Sequence, residues 1–431
     1  MGGIILLGIF LLLICIRMPI SISMGIATLI AMIISGFFDS LYIIPMYMAE
    51  GTQTYTLLAI PFFILTGNIM NRTGLTDRIF DFANKVVGHI RGGLAQVNVV
   101  ASMIFAGISG AATADAAGLG VVEVKAMTDR GYRRDYSAAI TLASSIIGPI
   151  IPPSIGLVII AVISNTSVAR LFLAGFIPGI LVGISLMIMN FVFSHTRADF
   201  PKPERRATFK EIAKSFGTGL FALFAPVIIV GGLVGGFVTA TESGILAANY
   251  ALLASFLYNK PKDVLRILPH ALLDTVKTTA LIMFVISLAT SMTWFLAIER
   301  IPSMIAESFL AITANKYVFL FLLNVFLLLI GAIIEGIPAL LIIVPILLPV
   351  VDKFGIDRVH FGMIAHLNLL IGIATPPMGI GLYIMTGVAK IKFEEVVKAF
   401  WPFFIPLIVV LFLVTYIPWL TLFLPNLLMG Q

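Results

Sequence analysis

Along this chain the apolar residues come in long uncharged runs, and the charged residues collect in short stretches between them. Runs of that kind read as helices without a solvated face, and about 20 residues of helix cross the ~30 Å hydrocarbon core of a bilayer. A closed β-barrel would show short alternating segments instead. The pattern predicts crossings at 4–16, 19–37, 55–71, 136–165, 170–194, 217–238, 242–259, 277–298, 361–388 and 401–425.

Two stretches do not fit an ordinary span. Between Lys316 and Asp352 lie 35 residues whose one charge is Glu335. As a continuous helix they would reach about 52 Å, too long for the bilayer, and two full spans with a turn would need more residues. A re-entrant hairpin over 317–351 fits, with Gly336 and Pro338 at its tip. The stretch between Arg91 and Glu123 behaves likewise, a hairpin over 92–122 whose tip lies around Gly107 to Asp115. Two runs are overlong and carry central prolines: Pro149, Pro152 and Pro153 in 136–165, Pro376 and Pro377 in 361–388. Proline removes a backbone donor and clashes with the preceding turn, so each is expected to be a helix broken at mid-membrane.

The two halves match at one constant offset. Gly148-Pro-Ile-Ile-Pro152-Pro153 aligns with Gly372-Ile-Ala-Thr-Pro376-Pro377, 224 residues later. The same 224 relates Gly131 to Gly355, Arg134 to Arg358, Pro178 to Pro402 and Gly107 to Gly331. The loop at 125–135 is expected inside and its partner at 352–360 outside, so the repeats are inverted, as in secondary transporters. The expected fold class is an all-α polytopic membrane protein with two inverted repeats. Each repeat carries a re-entrant hairpin and a broken helix, for about ten crossings and two hairpins. The expected divisions are 1–75 (scaffold helices and an amphipathic connection), 76–195 (first repeat), 196–216 (cytoplasmic linker), 217–298 (central scaffold helices) and 299–425 (second repeat).

Composition agrees. Sixty per cent of the 431 residues are hydrophobic and 11% are charged, too few to clothe a soluble protein of this length. The net charge of +6 lies in loops at Lys125–Arg134, Arg197–Lys214 and Lys260–Lys277. Positive-inside topology accounts for it, with these loops cytoplasmic and both termini periplasmic, and no nucleic-acid motif is present. The N-terminus lacks the basic n-region of a signal peptide. Cys15 alone makes no disulfide or cysteine metal site. No Walker A, HExxH or GxSxG motif occurs, so an enzyme is not expected.

Broken helices expose backbone that lipid cannot satisfy, so it must line an enclosed or wet cavity. Freed carbonyls suit Na⁺, a hard cation that prefers oxygen. One sodium site is expected from Ser109, Gly110, Asp115, Gly148 and Ile151, the other from Glu335, Gly336, Gly372, Thr375 and Met378. The bland alternative is that Pro-Pro merely kinks a packed helix. An ionised carboxylate at mid-bilayer costs roughly 2.5–3.5 kcal/mol, so Asp115 and Glu335 need a partner or a proton. For Asp115 a hydrogen bond to the other hairpin arm serves as well as an ion. Ser109, Ser154 and Thr113 offer hydroxyls to a carboxylate substrate, or pack helices. Glu242 reads as a helix cap and His366 as a hydrogen-bonded structural residue.

Five motifs in order, Leu57–Asn71, Ser109–Asp115, Gly148–Ser154, Thr239–Ser243 and Thr375–Gly379, resemble the large membrane subunit of tripartite ATP-independent periplasmic (TRAP) transporters over essentially the whole chain. The resemblance implies a sodium-driven importer of organic acids in the bacterial inner membrane, working by an elevator movement without other cofactors. It also implies a small four-helix membrane subunit and a periplasmic substrate-binding protein as partners. The segments Gly118–Met127, Leu171–Gly179 and Leu424–Leu428 are similar to members that carry sialic acid. The chain departs from the family in three places. Ala111 stands where the hairpin tip has a second serine, Glu335 where aspartate is usual, and Ala240 where proline is usual. A stand-alone sodium–dicarboxylate symporter of the same plan remains an alternative, and a passive channel or scaffold a more distant one.

Overall fold

A computed structural model describes residues 2–196, 200–201 and 205–430, with the backbone alone at 106–109. The described residues are helical, with two short 3-10 turns and no strand. The chain opens with α1 (Gly2–Cys15) and α2 (Ile20–Ile34), which reach about 21 and 22 Å, short of a bilayer core. Between the expected crossings 19–37 and 55–71 lies α3 (Ile43–Glu50), and the chain bends by 53° before α4 (Ala59–Arg72). The connection α5 (Leu75–Val87) is amphipathic, burying Leu75, Ile79, Ala83 and Val87 at a spacing of four.

The first hairpin is α6 (Gly93–Ser109) returning through α7 (Ala112–Ala117) and α8 (Leu119–Asp129). Its turn is made by Gly110, whose φ of 65° a side chain would resist, and by the extended Ala111. The run 136–165 is two helices, α9 (Arg134–Ser145) and α10 (Ile155–Ser164), separated by nine residues that contain the three prolines. Then come α11 (Val168–Thr196), α12 (Phe209–Val234) and α13 (Ala240–Tyr258).

Next is α14 (Pro261–Ile298), at 38 residues a rod of about 57 Å. The basic stretch 260–277, read as a loop, is therefore helix. Val264, Ala271 and Thr275 bury one side of it while Lys262, Arg266 and Lys277 are exposed, so its charges sit on the open side of a helix rather than in a break. Between the expected crossing 277–298 and the second hairpin the chain forms α15 (Ile301–Ile312).

The second hairpin is α16 (Lys316–Ile333) and α17 (Gly336–Lys353), followed by the broken pair α18 (Arg358–Gly372) and α19 (Ile380–Ala389). The last expected crossing, 401–425, is not one helix. α20 (Phe393–Tyr416) starts earlier and stops before Pro418, and α21 (Trp419–Met429) follows, because the residue before a proline is pushed out of helical geometry.

The internal repeat is geometric as well as sequential. α6 and α16 end on Ser109 and Ile333, and α7 and α17 begin on Ala112 and Gly336. α8 and α17 end on Asp129 and Lys353, and α9 and α18 begin on Arg134 and Arg358; every one of these pairs is 224 apart. Beyond the prolines the offset becomes 225: α10 and α19 begin on Ile155 and Ile380, and end against left-handed Asn165 and Lys390. One extra residue therefore sits between Pro377 and Ile380. The helices before the breaks form the centre of the molecule. Every residue from Tyr136 to Ser145 and from Val359 to Gly372 is buried. The α9 hydroxyls survive this by bonding back one turn, as Ser137 does to Arg133 and Ser145 to Leu142. Each hairpin packs against the other repeat, α17 on α10, and α7 and α8 on α19. Among the described residues six helices are long and apolar enough to cross a bilayer unaided: α11, α12, α14, α16, α17 and α20.

Candidate functional site

The two hairpin tips meet. Thr113, in the first turn of α7, donates through Oγ1 to Oε1 of Glu335, the residue that precedes α17, at 3.4 Å. Between them lies a cavity of about 430 Å³ walled by Gly110, Pro149, Gly336 and His366. A side chain at Gly336 would meet open space there. Glu335 is partly buried and borders this cavity.

In the first repeat the tip touches the break of its own helix. Asp115 is buried, and its Oδ2 lies so close to Gly148 that a Cβ there would stand 2.1 Å from it. Gly110 rests on Ile155 at the start of α10. Ile151 turns its side chain onto Gly179 of α11. Ser154 is fully buried and caps α10: its Oγ accepts from the Leu157 amide at 3.3 Å and lies 3.5 Å from His366 Nε2. The side chain of Ser109 lies outside the described residues.

In the second repeat a glycine contact does the same joining. Gly331 of α16 and Gly372 of α18 meet backbone to backbone, so that a Cβ on Gly372 would stand 2.5 Å from the Gly331 main chain. The Gly379 amide, supplied by the extra residue, donates to the Ala332 carbonyl at 3.2 Å and ties the break to the hairpin. Thr375 bonds back to Ile371 at 2.9 Å, and Met378 is exposed.

Three features were not read from the sequence. Asn98 of α6 donates to Thr141 at 2.7 Å and accepts from Ser144 at 2.5 Å, both on α9. Asn368, which lies 224 beyond Ser144, donates to Asn324 of α16 at 2.7 Å. In each repeat a polar clamp thus fastens the outgoing hairpin arm to the broken helix. The buried amides inside otherwise apolar runs were the signal. Across the repeats, His366 Nε2 lies 2.7 Å from the Pro149 carbonyl. A second cavity, of about 670 Å³, separates Asp115 and Ala111 from Asn68, Asn71 and Thr278 of α4 and α14. Glu242 caps its helix, exchanging hydrogen bonds with Thr239.

Residues 7–420 match a family described as "Tripartite ATP-independent periplasmic transporter, DctM component". The chain belongs to the DctM family. It is 46% identical to the sialic acid TRAP transporter large permease protein SiaM of Vibrio cholerae, over 89% of each chain. It is 37% identical to the 2,3-diketo-L-gulonate TRAP transporter large permease protein YiaN of Escherichia coli, over 97% of each. It is also 37% identical to the C4-dicarboxylate TRAP transporter large permease protein DctM of Pseudomonas aeruginosa, over 90% of each. Among solved structures, the Alcanivorax borkumensis YdaH transporter shares the fold, with a TM-score of 0.61 over 89% of each chain at 15% identity. As a DctM-family member the chain is the large permease of a tripartite transporter, a multi-pass inner-membrane protein and not an enzyme.

Proposed function

We propose that this DctM-family permease imports an organic acid, of sialic-acid type, by sodium-coupled symport. The acid is handed over by a periplasmic binding protein, and a small four-helix subunit completes the membrane complex. The observation that carries this reading is the Thr113–Glu335 contact, which gathers both hairpin tips and the break at Pro149 around one cavity. Oxygen-rich, irregular backbone at matched positions is where hard cations bind in inverted-repeat transporters. One sodium site uses the Ser109–Gly110 tip with Asp115, Gly148 and Ile151; the other uses Glu335 and Gly336 with Gly372, Thr375 and Met378. The substrate carboxylate sits beside the first, met by Ser109 and Thr113, with Ser154 behind them.

Movement is of the elevator kind. The hairpins and broken helices interlock across the repeats, whereas α1 to α5 and α12 to α14 pack chiefly on one another. One body can then slide along the other. The sialic-acid reading is supported by the similarity to SiaM. The alternative of a stand-alone symporter loses ground to the family match.

The test is uptake into proteoliposomes that hold the permease with its small subunit. Labelled sialic acid is supplied with its binding protein under an imposed inward sodium gradient. Accumulation against the substrate gradient that needs both sodium and the binding protein is expected. Uptake without either one, or mere equilibration, overturns the proposal.

A further inference from the structure

His366 stands on α18, in the second repeat, yet its ring reaches the break of the first. Nε2 lies 2.7 Å from the Pro149 carbonyl. A carbonyl only accepts, so the proton of the neutral ring sits on Nε2 and leaves Nδ1 as an acceptor. Among the described residues nothing donates to Nδ1: the ring's contacts to Pro149 and to Ser154 are both made by Nε2. The residue is 3% exposed, so Nδ1 is an acceptor held away from bulk water with no protein partner.

The neighbours of the ring show where that nitrogen opens. A Cβ at Gly156 would stand 2.3 Å from Cε1 and 2.9 Å from Nδ1, so this edge of the ring takes the room that a side chain there would need. Gly156 and His366 both line the cavity between the hairpin tips. Among the described residues lining it, the polar side chains are Thr113, Glu335 and His366, and Leu340, Leu369, Leu370 and Ile373 supply apolar wall. Thr113 and Glu335 are bonded to each other, and on the reading above they serve the carboxylate and an ion. His366 is left to address the rest of the cargo. A lone-pair acceptor repels a carboxylate and attracts an O–H.

We propose that His366 is a specificity-determining residue: Nδ1 accepts a hydrogen bond from a hydroxyl group of the transported acid and so selects hydroxylated acids, sugar acids foremost, over plain dicarboxylates. This inference rests on the organic-acid reading of the cavity and narrows it. Selection works by exclusion as well as attraction. An acid with no donor at this point leaves Nδ1 buried and unpaired, and a site built around a hydrogen bond rejects ligands that lack it. Nε2 has a separate task, holding the Pro149 carbonyl, so the two nitrogens can be tested apart.

Equilibrium binding of labelled sialic acid to the purified permease with its small subunit, at saturating sodium, tests the assignment. His366→Gln keeps a donor where Nε2 stands and removes the acceptor. Its affinity is expected to fall about tenfold or more, with melting temperature and ²²Na⁺ binding near wild type. His366→Asn keeps an acceptor near the Nδ1 position and gives up the Pro149 bond, so it should melt lower yet hold its affinity. The decisive readout is a set of deoxy analogues, each lacking one hydroxyl. One of them should bind wild type about tenfold more weakly than the parent acid does, and bind His366→Gln as that variant binds the parent. A structural role for the ring would weaken every analogue alike. His366→Leu serves the same comparison if His366→Gln does not fold. The proposal is overturned if every deoxy analogue loses the same in wild type and variant. It is overturned too if succinate binds wild type as tightly as sialic acid, a result that leaves sodium-coupled import of an organic acid standing. A wild type that binds neither acid refutes that reading and this inference together.

Discussion

Arg358 donates through Nη1 to the backbone carbonyl of Ser164 at 3.1 Å, which sets the first turn of α18 beside the last turn of α10. The pair α9–α10 runs from Arg134 to Ser164, and its repeat partner begins where it ends. The two broken helices therefore run in opposite directions, as an inverted duplication requires. With Cys15 replaced by serine, Arg205→Cys is expected to react with an impermeant thiol reagent only from the cytoplasmic side. Lys353→Cys is expected to react only from the periplasm. Labelling of both from one side would refute the inverted arrangement.

The same arginine grips Asp352, with Nε and Nη2 at 3.0 and 2.7 Å from the two carboxylate oxygens. Hydrogen bonds from that guanidinium hold the Asp352 carboxyl below its ordinary value of 3.8. Because the folded-state value is depressed, the stabilisation is complete above that pH and is lost as pH falls further. Both side chains are more than a third exposed, so solvent screening leaves at most about 1 kcal/mol. Asp352→Asn should lower the melting temperature slightly at pH 7, and the difference should shrink as the pH falls below 3.8.

Replacing Glu335 by glutamine keeps the shape of the tip and removes its charge. The sodium concentration for half-maximal uptake is expected to rise about tenfold or more, from the worth of one contact to a charged group. Association with the small subunit should be unchanged. Thr113→Val removes a longer hydrogen bond and should have a smaller effect in the same direction. Wild-type sodium dependence in Glu335→Gln would take this residue out of the ion site.

The two serines should part company. Ser154 caps α10, so Ser154→Ala is expected to cost about 0.5–2 kcal/mol of stability, visible as a lower melting temperature. Ser109→Ala should leave melting unaffected and weaken substrate binding to the purified complex about tenfold or more. If neither variant loses affinity, the carboxylate binds elsewhere, and the region of Thr375 and Met378 is next to be probed.

Glycine contacts offer a steric test. Gly372→Ala forces a methyl against the Gly331 backbone and should destabilise the protein by about 1–3 kcal/mol. Gly336→Ala adds a methyl where there is open space, and should melt as wild type. Equal melting of the two variants would mean that the hairpin does not rest on its broken helix as described.

What could be read along the chain was whatever the backbone demands of particular residue types. Prolines announce a break and glycines a turn, so Pro152–Pro153, Pro376–Pro377, Gly131 and Gly355 carried the repeat in plain view. Glu242 was legible as a cap because capping is local. The basic residues of 260–277 misled, since charge on one side of an amphipathic helix looks like a loop when its buried side is unknown. Glu123 misled for the opposite reason: a charge at the end of an apolar run reads as solvent, and only tertiary packing shows that it is enclosed. The Thr113–Glu335 and His366–Pro149 contacts join residues more than 200 positions apart, and no local rule could place them together.

The single residue inserted between Pro377 and Ile380 has a consequence for order in time. Halves descended from one ancestor would present two equivalent seats, and equivalent seats fill at random. Here one break is closed by the carboxylate of Asp115 and the other by the main chain of Gly379, so the two seats are built differently. On the proposed sodium reading, unlike seats would hold their ions with unlike affinity, and the tighter seat would fill first. A one-residue departure from symmetry would then give a duplicated machine its first step.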